Sequence, residues 1–394
     1  MQWPQNSGTR MDADYIIKLL RNYPQLSRAE LSTMLPITPA TLTHQIRTLI
    51  DSGWIGETTV HRSAIGGRPR MGLSVDNTAA YAVTVVVGLT TVDVAVVDFS
   101  GHIVVQREIE HFMTAVSQGI AVISETIQEV IEQAAIDPHK WAGVGISIPG
   151  IWDPESETVV FSPNLPQWDG MKIGELFRRS LDVPDIIVEN DADAAAWGEL
   201  WFGAGRDIQD MVYVLCDVGI GAGLVINHQL VRGQDNSVGE IGHMFVTSEG
   251  PDYSCGCGHV GCLEAVASLG ALNRYQDGGM TQDAALDHVA QYLGMALGSI
   301  VNILCPQVVV LGGAMLQSYP VLWPMIVHNT RSRVLNHLMH KTQFILSPLG
   351  DHAPLLGLAD LVFSRRLHRD PGSPLDTLAY PQWGRVTLPS RKLF

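Results

Sequence analysis

The sequence lacks any apolar run of about 18 residues, because Thr, Asp or Asn interrupts each one, so nothing in it reads as a membrane-spanning helix. Its opening, MQWPQNSGTRMDADY, also lacks the charged-then-apolar pattern of a secretory signal, and a cytosolic protein with no membrane partner is expected. Charged residues are sparse, 16% of 394, and cysteine is sparser, with five. That odd count, with Cys255, Cys257 and Cys262 crowded together, is poorly suited to a disulfide framework and points to a metal. Apolar residues, by contrast, make up 46%, which supports large buried cores and excludes a mainly disordered chain, and the length suggests two to three domains.

The formal charge of −15 would argue against nucleic acid if it were evenly spread. It is not: residues 1–75 hold 8 Lys+Arg against 5 Asp+Glu, a net of +3, and the remainder carries −18. A mildly basic arm precedes an acidic body, and association with DNA must be judged on the arm.

In the arm, Tyr15, Ile16, Leu19 and Leu20 fall at helical spacing, predicting an amphipathic helix from Met11 to near Asn22 and Pro24. Ser27 and Glu30 form a capping box that opens a short helix over about 28–34. Thr38 as N-cap and Pro39 at the first helical position open a third helix, with Leu42, Ile46, Leu49 and Ile50 facing inward and Gly53 ending it. Three helices with a tight turn between the second and third make a helix-turn-helix. Thr38 at the start of the third helix, and Thr41, His44, Gln45 and Arg47 on its outer face, are the candidate contacts to a double-stranded DNA operator. Residues 54–75 read as a β-wing whose tip, AIGGRPRMG, offers Arg68 and Arg70 to a minor groove. The bland alternative is a protein-docking module with a solvated arginine linker.

The body begins after Asp76 with three consecutive strands, a helix around residues 114–134 and a strand at 143–148. Paired strands recur over 210–224 and 223–231, and a later helix leads into a strand at 307–311. Two similar α/β halves predict a ligand cleft between them. His243 precedes Cys255 by twelve residues and the cysteines follow as C-x-C-x4-C, so one imidazole and three thiolates can converge on a closed, structural Zn²⁺ site, one ion per chain. Cys216 and Cys305, in apolar surroundings, read as inert core residues.

Six stretches, SIPGIWD, VENDADAAAWGE, GIGAGLV, GEIGHM, CGCGHVGCLEAVAS and VVVLGGAM, make the chain resemble the ROK family of repressors and sugar kinases, and with the N-terminal arm it resembles the repressor branch. The resemblance implies an α/β fold: a winged helix-turn-helix followed by a two-domain, actin-like (ribonuclease H-like) body of the sugar-kinase type. Its expected boundaries are 1–75 for the DNA-binding domain, 76–188 for the first α/β domain, closed by a C-terminal helix over about 366–394, and 189–365 for the second. It also implies zinc at the His243 and cysteine motif, and sugar contacts at Asn164, Asn190, Asp191, Glu240, His243 and Glu264, with Asp191 the counterpart of the kinase base. A plainer account makes Asn190 and Asp191 a helix N-cap and the two glutamates surface acids.

Where kinases of the family resemble one another in a D-x-G-G-T phosphate loop, this chain has Val86-Val87-Gly88-Leu89-Thr90, and Asp217-Val218-Gly219 stands where they tend to have G-T-G. Both changes oppose phosphoryl transfer. The expected protein is therefore no enzyme and has no catalytic residues. It is a homodimeric or homotetrameric regulator, a repressor of carbohydrate genes, answering to a sugar or sugar phosphate. The alternatives are a sugar kinase and a regulator governed by a transport-system protein.

Overall fold

The computed structural model describes residues 13–60, 70–110, 115–181, 185–248 and 253–369. Among the described residues, contacts divide the chain between Asp76 and Asn77 into a body and a smaller unit that groups the N-terminal module with residues 364–369.

The smaller unit holds α1 (Ala13–Asn22), α2 (Arg28–Met34) and α3 (Pro39–Asp51), then β1 (Ile55–Val60) and β2 (Arg70–Val75), which pair antiparallel from Ile55↔Val75 to Val60↔Arg70. Each helix start follows from local chemistry. Ser27 accepts the Glu30 backbone N–H and Glu30 accepts that of Ser27, and the Thr38 hydroxyl accepts the Thr41 N–H. Ile16, Leu20, Leu31, Leu42, Ile46 and Leu73 are fully buried and form the unit's core. Lys18, also buried, pairs with Asp14 at 2.6 Å. Ser364 completes the group by donating to Asp14 at 2.9 Å and accepting from Lys18 at 3.1 Å, so no charge in it is left bare. The expected wing tip with Arg68 lies outside the described residues, as does the Arg70 side chain.

The first sheet of the body runs through β3 (Tyr81–Val87), β4 (Thr91–Asp98), β5 (Ile103–Glu110) and β6 (Trp141–Ile148). A short hairpin of β7 (Ile151–Asp153) and β8 (Thr158–Phe161) follows, and β9 (Ile186–Asn190) completes the sheet in the order β5-β4-β3-β6-β9. β10 (Met211–Cys216), β11 (Ile220–Ile226), β12 (Gln229–Leu230), β13 (Val308–Gly312) and β14 (Gln343–Leu346) form the second sheet in the order β12-β11-β10-β13-β14. In both sheets three antiparallel strands are followed by two that join in parallel, so the second sheet repeats the first, which is the actin-like duplication. β5, at one edge, alternates exposed and half-buried positions and carries Gln106, Arg107, Glu108 and Glu110.

Helices α4 (Val116–Ala134) and α5 (Ile173–Ser180) close the first core around Trp168 and Phe177. α6 (Asp191–Phe202) crosses from the first sheet to the second. α7 (Leu263–Ala267), α8 (Leu269–Asp277) and α9 (Gln282–Leu304) close the second core, and α10 (Ala314–Ser318), α11 (Leu322–Arg331) and α12 (Asn336–Met339) follow. The last helix, α13 (His352–Arg369), starts well before residue 366, because Leu355, Leu358, Val362 and Phe363 already supply a buried stripe at helical spacing. It packs on the first half: Leu358 lies against Gly145 of β6, and Phe363 meets Phe99 edge-on at 5.1 Å. Residues 370–394 lie outside the described residues.

α6 and α13 cross with their backbones almost touching. A Cβ at Gly198 would overlap the Ala353 carbonyl oxygen, and one at Gly357 the Ala194 carbonyl oxygen. Beside the crossing, Trp197 Nε1 donates to the fully buried Asp360 at 2.9 Å. Gly198→Ala is therefore expected to destabilise the body by about 1–3 kcal/mol through overpacking, read from urea unfolding. An unchanged midpoint would refute the close crossing.

Candidate functional site and metal centre

β9 delivers Asn190 to the start of α6, where its side-chain oxygen accepts the N–H groups of Ala192 at 2.9 Å and Asp193 at 3.1 Å. Its Nδ2 donates to the Gly150 carbonyl at 3.0 Å. The plainer account of Asn190 as an N-cap is thus what the geometry displays, with both ends of the amide engaged. Asp191, the next residue, accepts from the Ala192 N–H at 2.8 Å. Burial pushes its carboxyl up to about 7, with the charges of Asp217 and Glu240 adding to the effect.

Asn164 and Glu264 meet at Gly219: the Asn164 Nδ2 and a Glu264 oxygen each lie 2.9 Å from where a side chain on Gly219 would begin. Glu264, in the first turn of α7, accepts the Ile220 N–H at 3.0 Å. Glu240 sits 3.7 Å from His243 Nε2, and its carboxyl is raised by burial, against the pull of His243 and with the push of Glu264. Neither glutamate is a free surface acid, since both are half-buried and held among these groups.

His243, Cys255, Cys257 and Cys262 form a cluster that could hold a metal ion, with one ligand atom from each lying within 4.8 Å of the others. Cys255 Sγ is 3.5 Å from His243 Nδ1, and Cys257 Sγ is 3.7 Å from Cys262 Sγ. A tetrahedron with metal–sulfur bonds of about 2.3 Å and a metal–nitrogen bond of about 2.0 Å has edges of about 3.5–3.8 Å, so the donor set fits a closed zinc site. Bridges Phe245↔Cys262 and Ser254↔Val260 brace the loop. His243 turns Nδ1 to Cys255 and Nε2 to Glu240, joining the cluster to that carboxyl. Sequence reasoning missed His259, whose Nδ1 is 3.5 Å from Cys257 Sγ, although its place within CGCGHVGC was a signal. Cys216 is buried, and burial pushes its thiol up to about 12, as an inert core residue requires. Cys305 departs from that expectation: it is half-buried and ends α9 in a left-handed conformation, φ 47°.

On α3, Thr41, His44 and Arg47 are exposed, and Arg47 is only loosely drawn to Asp51 at 3.8 Å. Thr38 is exposed at its N-cap. Gln45 corrects the sequence-based expectation. It is 7% exposed, because three residues after Leu42 and four before Leu49 put it on the inward stripe.

A winged helix-turn-helix ahead of a duplicated, sugar-kinase-type body is the class of protein that the fold defines. The arm matches the winged helix-turn-helix DNA-binding model over residues 16–55, and the body matches the ROK family model over 82–365. The chain belongs to the ROK family. It is 32% identical over 369 residues to the xylose repressor of Bacillus subtilis (strain 168), covering 89% of this chain and 94% of that protein. Among solved structures it is similar to a ROK family transcriptional regulator, a homolog of the E. coli MLC protein, with TM-score 0.73, 25% identity and coverage of 90% of this chain and 96% of that one. It is also similar to a ROK family glucokinase from Streptomyces griseus in complex with glucose and AMPPNP, with TM-score 0.63, 27% identity and coverage of 72% and 100%.

Metal analysis of the purified chain is expected to return about one zinc ion, and Cys257→Ser to lower that occupancy and the melting temperature together. Metal-free wild-type protein with an unchanged melting temperature would refute a structural site.

Proposed function

We propose that this chain is a DNA-binding repressor of carbohydrate uptake or utilisation genes, released from its operator when a sugar or sugar phosphate enters the pocket of the body. The observation that carries the reading is the joining, in one chain, of a helix-turn-helix with Thr41, His44 and Arg47 exposed on its third helix to a pocket rich in carboxylates and amides. The similarity to the xylose repressor runs through both parts, whereas the similarity to the glucokinase covers 72% of this chain.

In this reading Thr38, Thr41, His44 and Arg47, with Arg68 and Arg70 of the wing, contact the operator. Asn164, Asn190 through its second Nδ2 hydrogen, Asp191, Glu240, His243 and Glu264 take the sugar hydroxyls, since carboxylates accept from adjacent hydroxyls and amides also donate to them. His243, Cys255, Cys257 and Cys262 hold one structural Zn²⁺, which fixes the imidazole that faces the pocket. Residues 1–75 serve as the DNA-binding domain, and the first and second α/β domains meet near residue 188, with the last helix closing the first. Two copies read two half-sites, so a change in their spacing weakens binding by a factor of ten for about each 1.4 kcal/mol by which the effector prefers the released form.

Two features support the absence of phosphoryl transfer. The β3–β4 turn, closed by the Gly88 N–H on Thr91 O at 2.8 Å, has Val86 and Leu89 where a metal-binding acid and a second glycine would serve a nucleotide. Asp217 turns its own carboxylate onto the N–H groups of Val218 at 2.6 Å and Ala314 at 3.4 Å, bringing negative charge to the loop where a phosphate would need donors. The kinase reading keeps some observations in its favour: Asp191 at about 7 has the acidity of a general base, and Asp93 stands across the strands from Val86.

Footprinting on DNA upstream of sugar-uptake genes is expected to reveal protection that weakens steeply with salt and is reduced by Arg47→Ala. Steady ATP turnover with a hexose panel would instead establish the kinase. Asp191→Ala is expected to abolish a sugar-induced melting shift, and a persisting shift would place the ligand elsewhere. The raised Asp191 carboxyl has a second consequence: its contribution to stability is full below about pH 4 and is lost as pH rises through about 7. Urea unfolding of effector-free protein from pH 5 to pH 8 should therefore show a steeper loss of stability in the wild type than in Asp191→Asn, and equal slopes would refute the assignment.

A further inference from the structure

Arg232 follows β12 and lies outside every motif singled out in the sequence. Its guanidinium takes the Glu189 carboxylate with both prongs, Nη1 to Oε1 at 2.9 Å and Nη2 to Oε2 at 2.6 Å. Glu189 is 3% exposed and immediately precedes Asn190 and Asp191 at the end of β9. Arg232, for its part, starts the segment that ends at Glu240. The ion pair thus ties the strand that delivers one side of the pocket to the loop that delivers the other.

That loop turns tightly, with the Ser237 N–H on the Gln234 carbonyl at 3.1 Å. The Arg232 carbonyl accepts the Val238 N–H at 3.4 Å, Gly239 O accepts the Ala222 N–H at 2.9 Å, and Asp235 and Asn236 between them sit in the left-handed region at φ 54°. Asp193, in the first turn of α6, is buried with one carboxylate oxygen lacking a hydrogen-bond partner. Burial and the neighbouring Glu189 charge push its carboxyl well up, against the pull of Arg232, while the two-pronged contact of the guanidinium goes to Glu189.

We propose that Arg232 is a positioning residue of the effector pocket: by gripping Glu189 it sets Glu240 against the Asn190-Asp191 end of α6, and so governs sugar affinity without touching the sugar. The inference rests on the sugar-pocket reading above. Lysine, a single-pronged cation, can keep the charge but cannot reproduce the two-pronged grip.

The test measures two quantities on the full-length chain: calorimetric affinity for D-xylose, D-glucose and their phosphates, and the urea unfolding midpoint. Arg232→Met is expected to weaken the best-bound sugar by about tenfold or more and also to lower the midpoint, because it leaves Glu189 charged and unpaired. The double variant Glu189→Gln/Arg232→Met removes both charges and is expected to recover the midpoint while the affinity stays weak. Arg232→Lys should fold like the wild type and bind with intermediate affinity, and it decides the matter if the neutral variants do not fold. Wild-type affinity in the double variant would show a merely structural pair, and unchanged affinity in Arg232→Met or Arg232→Lys would equally overturn the proposal. A wild type that binds none of these sugars, or whose binding survives Asp191→Ala, marks failure of the pocket reading itself, and the positioning role falls with it.

Discussion

The body depends on how β9 is turned into α6. A strand that ends inside a protein and gives way at once to a helix leaves the first N–H groups of that helix without partners. Asn190 supplies the missing acceptor and is itself anchored to Gly150. Since the cap fixes where the helix starts, it also fixes where Asp191 stands and how far Asp193 is buried. Everything assembled opposite, from Asn164 at Gly219 to Glu240 beside His243, is meaningful only relative to that fixed point.

Acidic groups gathered at such a point repel one another, and the structure contains the repulsion by several means. Glu264 is held by a backbone N–H and Glu189 by a guanidinium, and burial with neighbouring charge pushes the carboxyls of Asp191 and Asp193 up. Carboxylates kept in place at this cost are poor devices for packing, since each gives up hydration that an apolar side chain never had.

Much of this was legible in the sequence, for identifiable reasons. α2 and α3 begin where Ser27 and Thr38 predict, because capping is decided within four residues. The metal cluster was legible because three of its four ligands lie in one short loop. What escaped depends on distance along the chain or on helical phase. Arg232 and Glu189 are 43 residues apart and belong to no shared pattern. Gln45 reads as polar and therefore outward, yet its phase on α3 turns it inward. The last helix begins at His352, ahead of the expected 366, because its stripe of buried side chains makes sense only against β6 and Phe99, and most of the expected span lies outside the described residues.

The crossing of α6 and α13 has a mechanical meaning. Two helices separated by side chains can slide, because rotamers yield; here carbonyl oxygens face glycines, and nothing soft lies between. With no compressible side chains at the closest approach, sliding of α6 past α13 is blocked at Gly198 and Gly357, beside the Trp197 and Asp360 contact.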